Sequence, residues 1–493
     1  MVEFVEPSHP SAMKVGLFMW RISSNREWEN ITSELVTVGV HAVPAPILSD
    51  IEISPEGTRE FSRFERSSKF DELRSVILTM QNRFDFTGTF RLIDRDLRFR
   101  DELLRVFSFL AQKRFDFACF SATPHGSVAF MFEKVFRWYR IPVLFFQPSL
   151  VGPQSLPRKS LVEPLKYSLS PAIRKKYSSE LVTVASLAKE SISRLEAGKG
   201  TAKVALQRER ERSSRNFFGR MRAIQFFFSR LGKGLHYLSV NFSSHKDLPG
   251  WFTRPLEVFL EWSLRRSLST AIRALPSDIP ETRMKFALFA LHYEPERCSI
   301  PEGYPFSSQI DAVIRARALL PEDIVLIVKE HFSQSAAALR GTLGRSPDTY
   351  QILESIPGVK FVGIGADTPG LVSRAECVFT LTGKVGIEAA LKSTPVIYGG
   401  QPWWGEIPGS ASLNSFDGTP ELKDFLESSR SSRDEVFDWL SQQFADTLVP
   451  VLGDATVDRY TKRISPLPER FGELQLAVLA EVVSCFLDSE FPE

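Results

Sequence analysis

Two short apolar runs that end abruptly in polar residues constrain this chain more than any other feature. Val325–His331 (VLIVKEH) and Val378–Glu388 (VFTLTGKVGIE) each begin as an unbroken apolar stretch, which is typical of a strand buried on both faces of a parallel sheet. The first run ends in three polar residues that carry a cation, a carboxylate and an imidazole. The second run ends in a turn that is rich in hydroxyl residues and glycine, and we predict that a helix over Ile387–Lys392 follows this turn. Both endings suit an anionic ligand better than a core.

Strand and helix patterns alternate with short turns along most of the chain. This alternation predicts an α/β fold with parallel, doubly wound sheets. The apolar strands are predicted at Lys14–Trp20, His41–Ile47, Phe115–Ser121, Ile141–Phe146, Lys285–His292, Val325–His331, Val359–Val362, Cys377–Leu381 and Pro395–Tyr398.

The strand pattern disappears between Leu156 and Pro280, where the sequence is helical, basic and aromatic. We therefore predict an N-terminal Rossmann-like, acceptor-side domain over 1–155 and a helical basic insertion over 156–280. A C-terminal Rossmann-like, nucleotide-sugar-binding domain follows over 281–465, and a C-terminal crossover helix over 466–493. Two Rossmann-like halves and a terminal helix are the architecture of the GT-B class of glycosyltransferases. Ligands of open parallel sheets bind beyond the carboxyl ends of the strands, where both polar endings lie.

Composition narrows the class of protein. A chain of 493 residues is too long for a single core. The net charge of +2 argues against a general polyanion binder, so we expect no nucleic-acid partner. Four cysteines without metal or disulfide spacing, and no secretory leader or spanning run, favour a cytoplasmic protein.

Several motifs, in this order and spacing, resemble bacterial capsule and surface polysaccharide biosynthesis proteins, whose relatives include the Kdo transferases of capsule assembly. The motifs are the turn ATPHG at Ala122–Gly126 with RIPVLFF after it, LHYEPE at Leu291–Glu296, VKEH ending at His331, Gly344-Arg345-Ser346-Pro347 with Tyr350, and TLTGKVGIEAALKSTPVIYGG from Thr380.

The resemblance implies a GT-B enzyme that transfers a sugar during capsule or lipopolysaccharide assembly. In Kdo and bacterial sialic-acid transferases of this architecture the donor is a CMP-sugar, held by a Lys-x-His-Pro motif and a Ser/Thr-rich turn. Lys329 and His331 match that motif, while Phe332 replaces its proline. The acidic base motif of sialyltransferases has no clear match. The position often written Gln-Pro-Glu reads Tyr293-Glu294-Pro295-Glu296.

The end of the first run supplies the catalytic candidate. His331 could give a proton or hydrogen bond to the leaving phosphate, or it could merely cap the strand end. Side chains alternate along a strand, so Lys329 and His331 share one face and would meet one anion. Glu330 would then face elsewhere or bond the ribose.

The turn of the second run supplies the other nucleotide-sugar-binding candidates. Gly383 and Gly386 would let a phosphate approach the backbone, and the hydroxyls of Thr380 and Thr382 would add donors. An ordinary strand–helix turn is the alternative. The resemblance places Thr380, Thr382 and Gly383 where the Ser/Thr-rich turn belongs. Glu388 could grip the ribose or favourably meet the helix dipole.

A third group would line the acceptor side. His292, Glu294 and Glu296 follow a strand that leads into the predicted cleft, where Glu294 could accept a proton and the other two could contact the acceptor. His125 in the ATPHG turn is a second candidate base. Trp403 could stack on a sugar or simply pack.

The insertion carries a basic, aromatic segment, Arg215–Lys233 (RNFFGRMRAIQFFFSRLGK). Such a segment suits an anionic membrane surface, where lipid-linked acceptors reside. The predicted contacts are Arg215, Arg220, Arg222 and Arg230. The alternative is that the phenylalanines pack on the enzyme and the arginines form a solvated face.

These observations predict a cytoplasmic GT-B glycosyltransferase, peripheral on the inner membrane, that uses a CMP-linked ulosonic acid such as Kdo and a lipid-linked or oligosaccharide acceptor. No cofactor and no metal are expected, since no Asp-x-Asp motif is apparent. Two alternatives stay open: a UDP-sugar epimerase of the same fold, and a catalytically silent subunit of polysaccharide assembly.

Overall fold

The computed structural model describes residues 13–19, 25–81, 91–149, 151–199, 255–277, 284–294, 296–306, 308–335, 341–451 and 467–492. Contacts divide these residues into two compact units. The first holds the described residues of Met1–Asp71, Arg100–Ala188 and Phe444–Glu493, and the second those of Glu72–Phe99 and Lys189–Gln443. The domain boundaries taken from the sequence stay a prediction.

The N-terminal sheet has the strand order β2-β1-β3-β4-β5. Its strands are β1 (Lys14–Met19), β2 (Val40–Pro44), β3 (Phe117–Phe120), β4 (Val143–Pro148) and β5 (Ser155–Arg158). The pairs among β1 to β4 are parallel, and β5 pairs antiparallel with β4. Helices of this part of the chain are α1 (Asn25–Val36), α2 (Pro55–Glu65), α3 (Ser68–Gln81), α4 (Leu92–Gln112), α5 (Ser127–Trp138), α6 (Pro171–Lys176) and α7 (Ser178–Glu196).

The C-terminal sheet has the order β11-β10-β9-β6-β7-β8, with every pair parallel. Its strands are β6 (Phe286–Ala290), β7 (Val325–Lys329), β8 (Val359–Val362), β9 (Val378–Thr380), β10 (Val396–Tyr398) and β11 (Ser410–Ser412). The remaining helices are α8 (Pro255–Ala274), α9 (Gln309–Leu319), α10 (Asp348–Glu354), α11 (Thr368–Arg374), α12 (Val385–Ala390), α13 (Thr419–Ser428), α14 (Arg433–Gln442) and α15 (Phe471–Glu490).

The predicted α/β fold class is therefore confirmed, with two mostly parallel, doubly wound sheets. In chain order the C-terminal sheet runs 6-5-4-1-2-3, so its winding reverses between β6 and β9. The crevice at such a reversal is where open α/β sheets bind ligands. Of the described helices, none has the length and apolar character needed to cross a bilayer.

Two details differ from the sequence prediction. The expected loss of strands after Leu156 is wrong at its first residues, because β5 continues the N-terminal sheet. An edge strand tolerates the proline at Pro157 and needs no long apolar run. The helix expected from Ile387 begins two residues earlier, at Val385, and ends at Ala390.

The core of the first unit is completed from the far end of the chain. One face of the N-terminal sheet, including Phe18, Leu144 and Phe146, forms a single buried cluster with Val482 and Phe486 of α15. The terminal helix is therefore an integral part of the first unit. A separate cluster around Phe289, Val328 and Phe379 forms the core of the C-terminal sheet.

Candidate functional site

Three neighbouring strand ends of the second unit carry the candidate site. Strands β9, β6 and β7 are adjacent and parallel, so the residues that follow them leave the sheet at one edge. His292 follows β6, Lys329 to His331 end β7, and Thr380 to Gly383 end β9. The reversal of winding lies between the first and the last of these groups.

His292 joins the end of β6 to the end of β9. Its Nε2 accepts a hydrogen bond from the backbone N–H of Thr382 at 3.1 Å, and the Thr380 Oγ1 lies 3.3 Å from the same atom. An amide can only donate, so Nε2 is unprotonated and the proton of the neutral ring sits on Nδ1. Burial lowers the pKa of His292 to about 4. Its predicted acceptor contact stays a prediction, and in this structure the ring bridges two strand ends.

Polar groups of the hydroxyl-rich turn already form hydrogen bonds with nearby atoms of the protein. The Gly383 N–H donates to Thr380 Oγ1 at 3.3 Å, and the Thr382 hydroxyl donates to the Cys298 carbonyl at 2.9 Å. A Cβ on Gly383 would lie 2.7 Å from Thr380 Oγ1 and 3.1 Å from His292 Cε1. Glycine is therefore required here by the close approach of His292 and Thr380, whatever else the turn binds.

Gly386 has a packing role that the sequence did not reveal. A Cβ at this position would come within 2.2 Å of Cη2 of Trp404, whose ring is fully buried. Its N–H donates to the Gly383 carbonyl at 3.0 Å. Glu388 is half-buried in the first turn of α12. The predicted ligand contacts of Gly386 and Glu388 stay predictions.

Lys329 and His331 lie at the end of β7. The Lys329 side chain is buried, and its Nζ donates to the Glu330 carbonyl at 3.3 Å. His331 is half-buried, its ring lies 4.5 Å from that of Phe332, and its Nδ1 accepts the Ser333 N–H at 3.2 Å. The neutral ring thus carries its proton on Nε2.

Lys329, Lys384 and Arg345 place positive charge around His331. Its pKa is held well below the ordinary value, first by burial and then by the neighbouring His292, Lys329, Lys384 and Arg345. At neutral pH the imidazole is therefore uncharged. In that state it offers a hydrogen bond from Nε2 but holds no extra proton to transfer.

Glu330 and Glu294 belong to a buried ionic cluster. The guanidinium of Arg345 donates from Nε to Glu330 Oε2 at 3.1 Å and from Nη1 to Glu294 Oε2 at 2.7 Å. The Tyr350 hydroxyl also donates to Glu330 Oε2, at 2.7 Å, and the His331 N–H donates to Oε1 at 2.6 Å. Glu330 is completely buried, so its geometry favours positioning its neighbours over touching a ligand.

Burial and charge act in opposite directions on Arg345. Burial alone would lower the pKa of its guanidinium, but Glu330 and Glu294 outweigh that effect and hold the pKa above its ordinary value. Arg345 is therefore charged at any relevant pH. The pKa of Tyr350 is raised, first by burial and then by Glu330, so its hydroxyl stays protonated and able to donate.

The remaining predicted residues have simpler surroundings. Glu296 is half-buried, and its carbonyl accepts the Ser299 N–H at 3.2 Å. Trp403 is half-buried beside Trp404. In the first unit, His125 Nδ1 lies 2.8 Å from the Thr123 carbonyl.

The four arginines predicted to contact a membrane lie outside the described residues. Within the described ranges, no group of three or more His, Cys, Asp or Glu side chains is placed to hold a metal ion.

Sequence reasoning missed Arg345, Tyr350 and Lys384 as members of the site. Arg345 and Tyr350 stand in one of the motifs that carry the family resemblance, which was the available signal. Lys384 directly follows Gly383 and precedes α12, and its charge contributes to the low pKa of both His292 and His331.

No protein-family profile matches the chain, and no curated protein matches it. Among solved structures, a beta Kdo 2,4 transferase, KpsC of Thermosulfurimonas dismutans, overlaps 91% of this chain and 98% of its own at 10% identity and a TM-score of 0.31. The UDP-GlcNAc 2-epimerase of Methanocaldococcus jannaschii overlaps 92% and 99% at 11% identity and a TM-score of 0.22. The wall teichoic acid polymerase TagF overlaps 47% of each chain at 13% identity and a TM-score of 0.19. Identities and TM-scores this low assign the chain neither a family nor a substrate.

Proposed function

We propose that the protein is a GT-B glycosyltransferase of capsule or lipopolysaccharide synthesis that transfers a sugar from a nucleotide donor to a saccharide acceptor. The observation that carries the proposal is the convergence of His292, Lys329, His331 and the Thr380–Gly383 turn at three adjacent strand ends. This edge includes the reversal of winding, where such sheets bind ligands. The motif resemblance adds the reaction class.

The donor in this proposal is a CMP-linked ulosonic acid such as Kdo. Lys329 supplies a cation and His331 a neutral N–H donor, a combination suited to the single phosphate that joins cytidine to such a sugar. In the leaving step the donor's anomeric C–O bond breaks, and negative charge develops on the phosphate. The positive charges around His331 favour that negative charge, and a preorganised donor gains most where charge develops.

The proposed acceptor is a lipid-linked or oligosaccharide hydroxyl, which must lose a proton as it attacks. Glu294 is a poor candidate base because it is already paired with Arg345. The remaining candidate base is His125, whose Nδ1 donates to the Thr123 carbonyl at 2.8 Å because a carbonyl can only accept.

Thermal stabilisation by nucleotides tests the proposal. CMP at about a hundred times its dissociation constant should stabilise the native state by roughly 2.7 kcal/mol, which raises the melting midpoint by several degrees. The shift should exceed those with UMP, UDP, GMP and AMP, persist in EDTA, and shrink in Lys329→Ala and in Gly383→Val.

Each contrary outcome would contradict a different part of the proposed function. A larger shift with UDP would defeat the CMP donor, and turnover of UDP-GlcNAc without any acceptor would establish the epimerase alternative. No shift with any nucleotide would favour the silent assembly subunit.

We also propose that the basic segment Arg215–Lys233 docks on the anionic inner-membrane surface. Each basic residue near such a surface contributes on the order of 1 kcal/mol. Replacing Arg215, Arg220, Arg222 and Arg230 by glutamine should greatly weaken sedimentation with phosphatidylglycerol vesicles at low salt and leave nucleotide binding intact. A wild-type protein that ignores such vesicles would contradict the proposal.

A further inference from the structure

Arg345 lies between helix α10 and a short 3₁₀ turn over Gly341–Leu343, outside every strand, yet its side chain is almost completely buried. Each nitrogen of its guanidinium has its own acceptor. Nε and Nη1 reach the carboxylates of Glu330 and Glu294, and Nη2 donates to the backbone carbonyl of His292 at 3.3 Å. One side chain thus ties the loop after β6 to the end of β7.

The first line of contacts leads from Arg345 to the ring of His331. Arg345 and Tyr350 hold one oxygen of Glu330, and the other oxygen accepts the His331 N–H at 2.6 Å. That bond fixes the backbone at the start of the turn in which the Ser333 N–H meets His331 Nδ1. The orientation of the ring, and the proton on its Nε2, therefore depend on a carboxylate that Arg345 holds.

The second line leads to the turn after β9. The His292 carbonyl accepts from Arg345 Nη2 at 3.3 Å and from Gln309 Nε2 at 3.2 Å, and the His292 ring accepts the Thr382 N–H. Gly344 lets the loop that carries Arg345 come close to Glu294, because a Cβ on Gly344 would lie 2.5 Å from the Glu294 Cβ. All three strand ends of the candidate site are thereby linked through one buried cation.

A lysine could not make these contacts. The guanidinium is a planar fork with donors in fixed directions, whereas an ammonium is a point charge on a flexible stem. A buried cation between two carboxylates is also costly to desolvate, and replacing such clusters by apolar residues is often neutral or stabilising. The cluster therefore has little value for stability alone.

We propose that Arg345 is a positioning residue of the candidate site, which orients His331 toward the donor and helps to set the Thr380–Gly383 turn through His292 without touching the ligand itself. The proposal rests on the proposed function, since it takes the same strand ends as the nucleotide site. It goes further in stating that one guanidinium links all three of those ends and orients the groups that meet the donor.

The test compares Arg345→Lys with the matched control Arg317→Lys. The Arg317 guanidinium also bonds several loop carbonyls, those of Pro357, Leu320, Pro321 and Ile324, but at the opposite end of β7. Each variant is titrated with CMP. Histidine tautomers are read by ¹⁵N NMR, which is practical because the chain has only seven histidines.

We expect Arg345→Lys to bind CMP at least tenfold more weakly and to lose the single Nε2–H tautomer of His331. Arg317→Lys should keep both the affinity and the tautomer, even if its melting point falls as far. Tyr350→Phe removes one of the bonds that hold Glu330 and should have a smaller effect in the same direction. If Arg345→Lys does not fold, Tyr350→Phe tests the proposal in its place.

Wild-type affinity together with a wild-type His331 tautomer in Arg345→Lys, or in Tyr350→Phe if only that variant folds, would overturn the proposal. Equal losses in Arg317→Lys would do so as well, because they would show a general effect of destabilisation. If the wild-type protein binds no nucleotide, the proposed function fails. The tautomer of His331 in the free protein then still decides whether Arg345 positions it.

Discussion

The N-terminal part of the chain and the C-terminal sheet differ in the chemical character of their buried side chains. Ten of the twelve largest fully buried side chains among the described residues are phenylalanines between Phe18 and Phe146, in the N-terminal part of the chain. The C-terminal sheet instead ends in a buried ionic cluster of Arg345, Glu330 and Glu294 beside two histidines. Apolar packing needs no function to explain it, whereas buried charge is costly and collects where chemistry or binding requires it. The buried Arg345–Glu330–Glu294 cluster therefore supports placing the candidate site at the C-terminal sheet.

The largest expected effect tests whether the phenylalanine core is only structural. Phe117 is fully buried, packs edge-on against Phe18 at 5.8 Å, and covers Gly16 on the adjacent strand. Phe117→Ala should lower the free energy of unfolding by about 3–5 kcal/mol, because the ring leaves a cavity that cannot collapse. Urea denaturation measures the loss.

The matched control for Phe117→Ala is Phe289→Ala, in the core of the other sheet. Phe289 is also fully buried and stacks on Phe379 at 6.3 Å. Below the unfolding transition, CMP affinity should be normal in Phe117→Ala and reduced in Phe289→Ala. The opposite pattern would break the contrast between the sheets.

A second prediction concerns His331. His331→Ala should reduce transferase activity by about 10²–10³, which corresponds to roughly 2.7–4 kcal/mol of transition-state stabilisation, because one preorganised donor is lost. The melting point should hardly change. His41→Ala, at an exposed position on β2, should leave activity unaltered. Near-normal turnover by a folded His331→Ala would remove this residue from the mechanism.

The third prediction is a pH dependence of the C-terminal sheet. The pKa of His292 falls to about 4 on folding, from an ordinary value of 6.5. Between these values the unfolded chain binds a proton that the folded chain does not. The contribution of His292 to stability is therefore fully present above pH 6.5 and is lost as the pH falls toward 4. The total contribution is on the order of 3 kcal/mol, at about 1.36 kcal/mol per pKa unit.

Urea denaturation at pH 7 and at pH 4.5 measures this slope. His292→Gln keeps an acceptor for the Thr382 N–H but cannot titrate, so its stability should depend less on pH. Equal slopes for the two proteins would show that His292 does not carry the effect.

The smallest effect is expected at Gly386. Gly386→Ala forces Trp404 to move and should cost about 1–3 kcal/mol of stability by overpacking. Gly472, in the first turn of α15, has open space where a Cβ would lie, so Gly472→Ala should be neutral or slightly stabilising. Thermal melts compare the two. A neutral Gly386→Ala would mean that the Trp404 pocket is looser than the structure shows.

The central strands could be read from the sequence because they are buried on both faces. β7 begins at the predicted Val325, and β9 lies within the predicted Cys377–Leu381. The edge strands β2 and β8 were predicted from their short apolar runs, whereas the edge strands β5 and β11 were missed because neither has such a run. Their residues, such as Pro157 and Ser410, resemble those of loops.

The site was only partly predictable for a different reason. Lys329, His331 and Thr380 follow apolar runs, so local sequence places them at the correct edge. The burial of Arg345 and the role of Gly386 depend on partners far along the chain. Nothing local distinguishes an arginine that bridges two carboxylates from a solvated one, or a glycine against a tryptophan from a glycine in a turn.

The place of α15 in the first unit has a consequence for biosynthesis. The ribosome makes the N-terminal strands first, but one face of their sheet is closed by Val482 and Phe486, which emerge near the end of translation. At ordinary elongation rates that gap lasts on the order of tens of seconds. During this interval the nascent chain presents an uncovered apolar surface, while most of the second unit, whose residues end at Gln443, can already close around its own core. The half of the protein that is synthesised first is thus the half that finishes folding last.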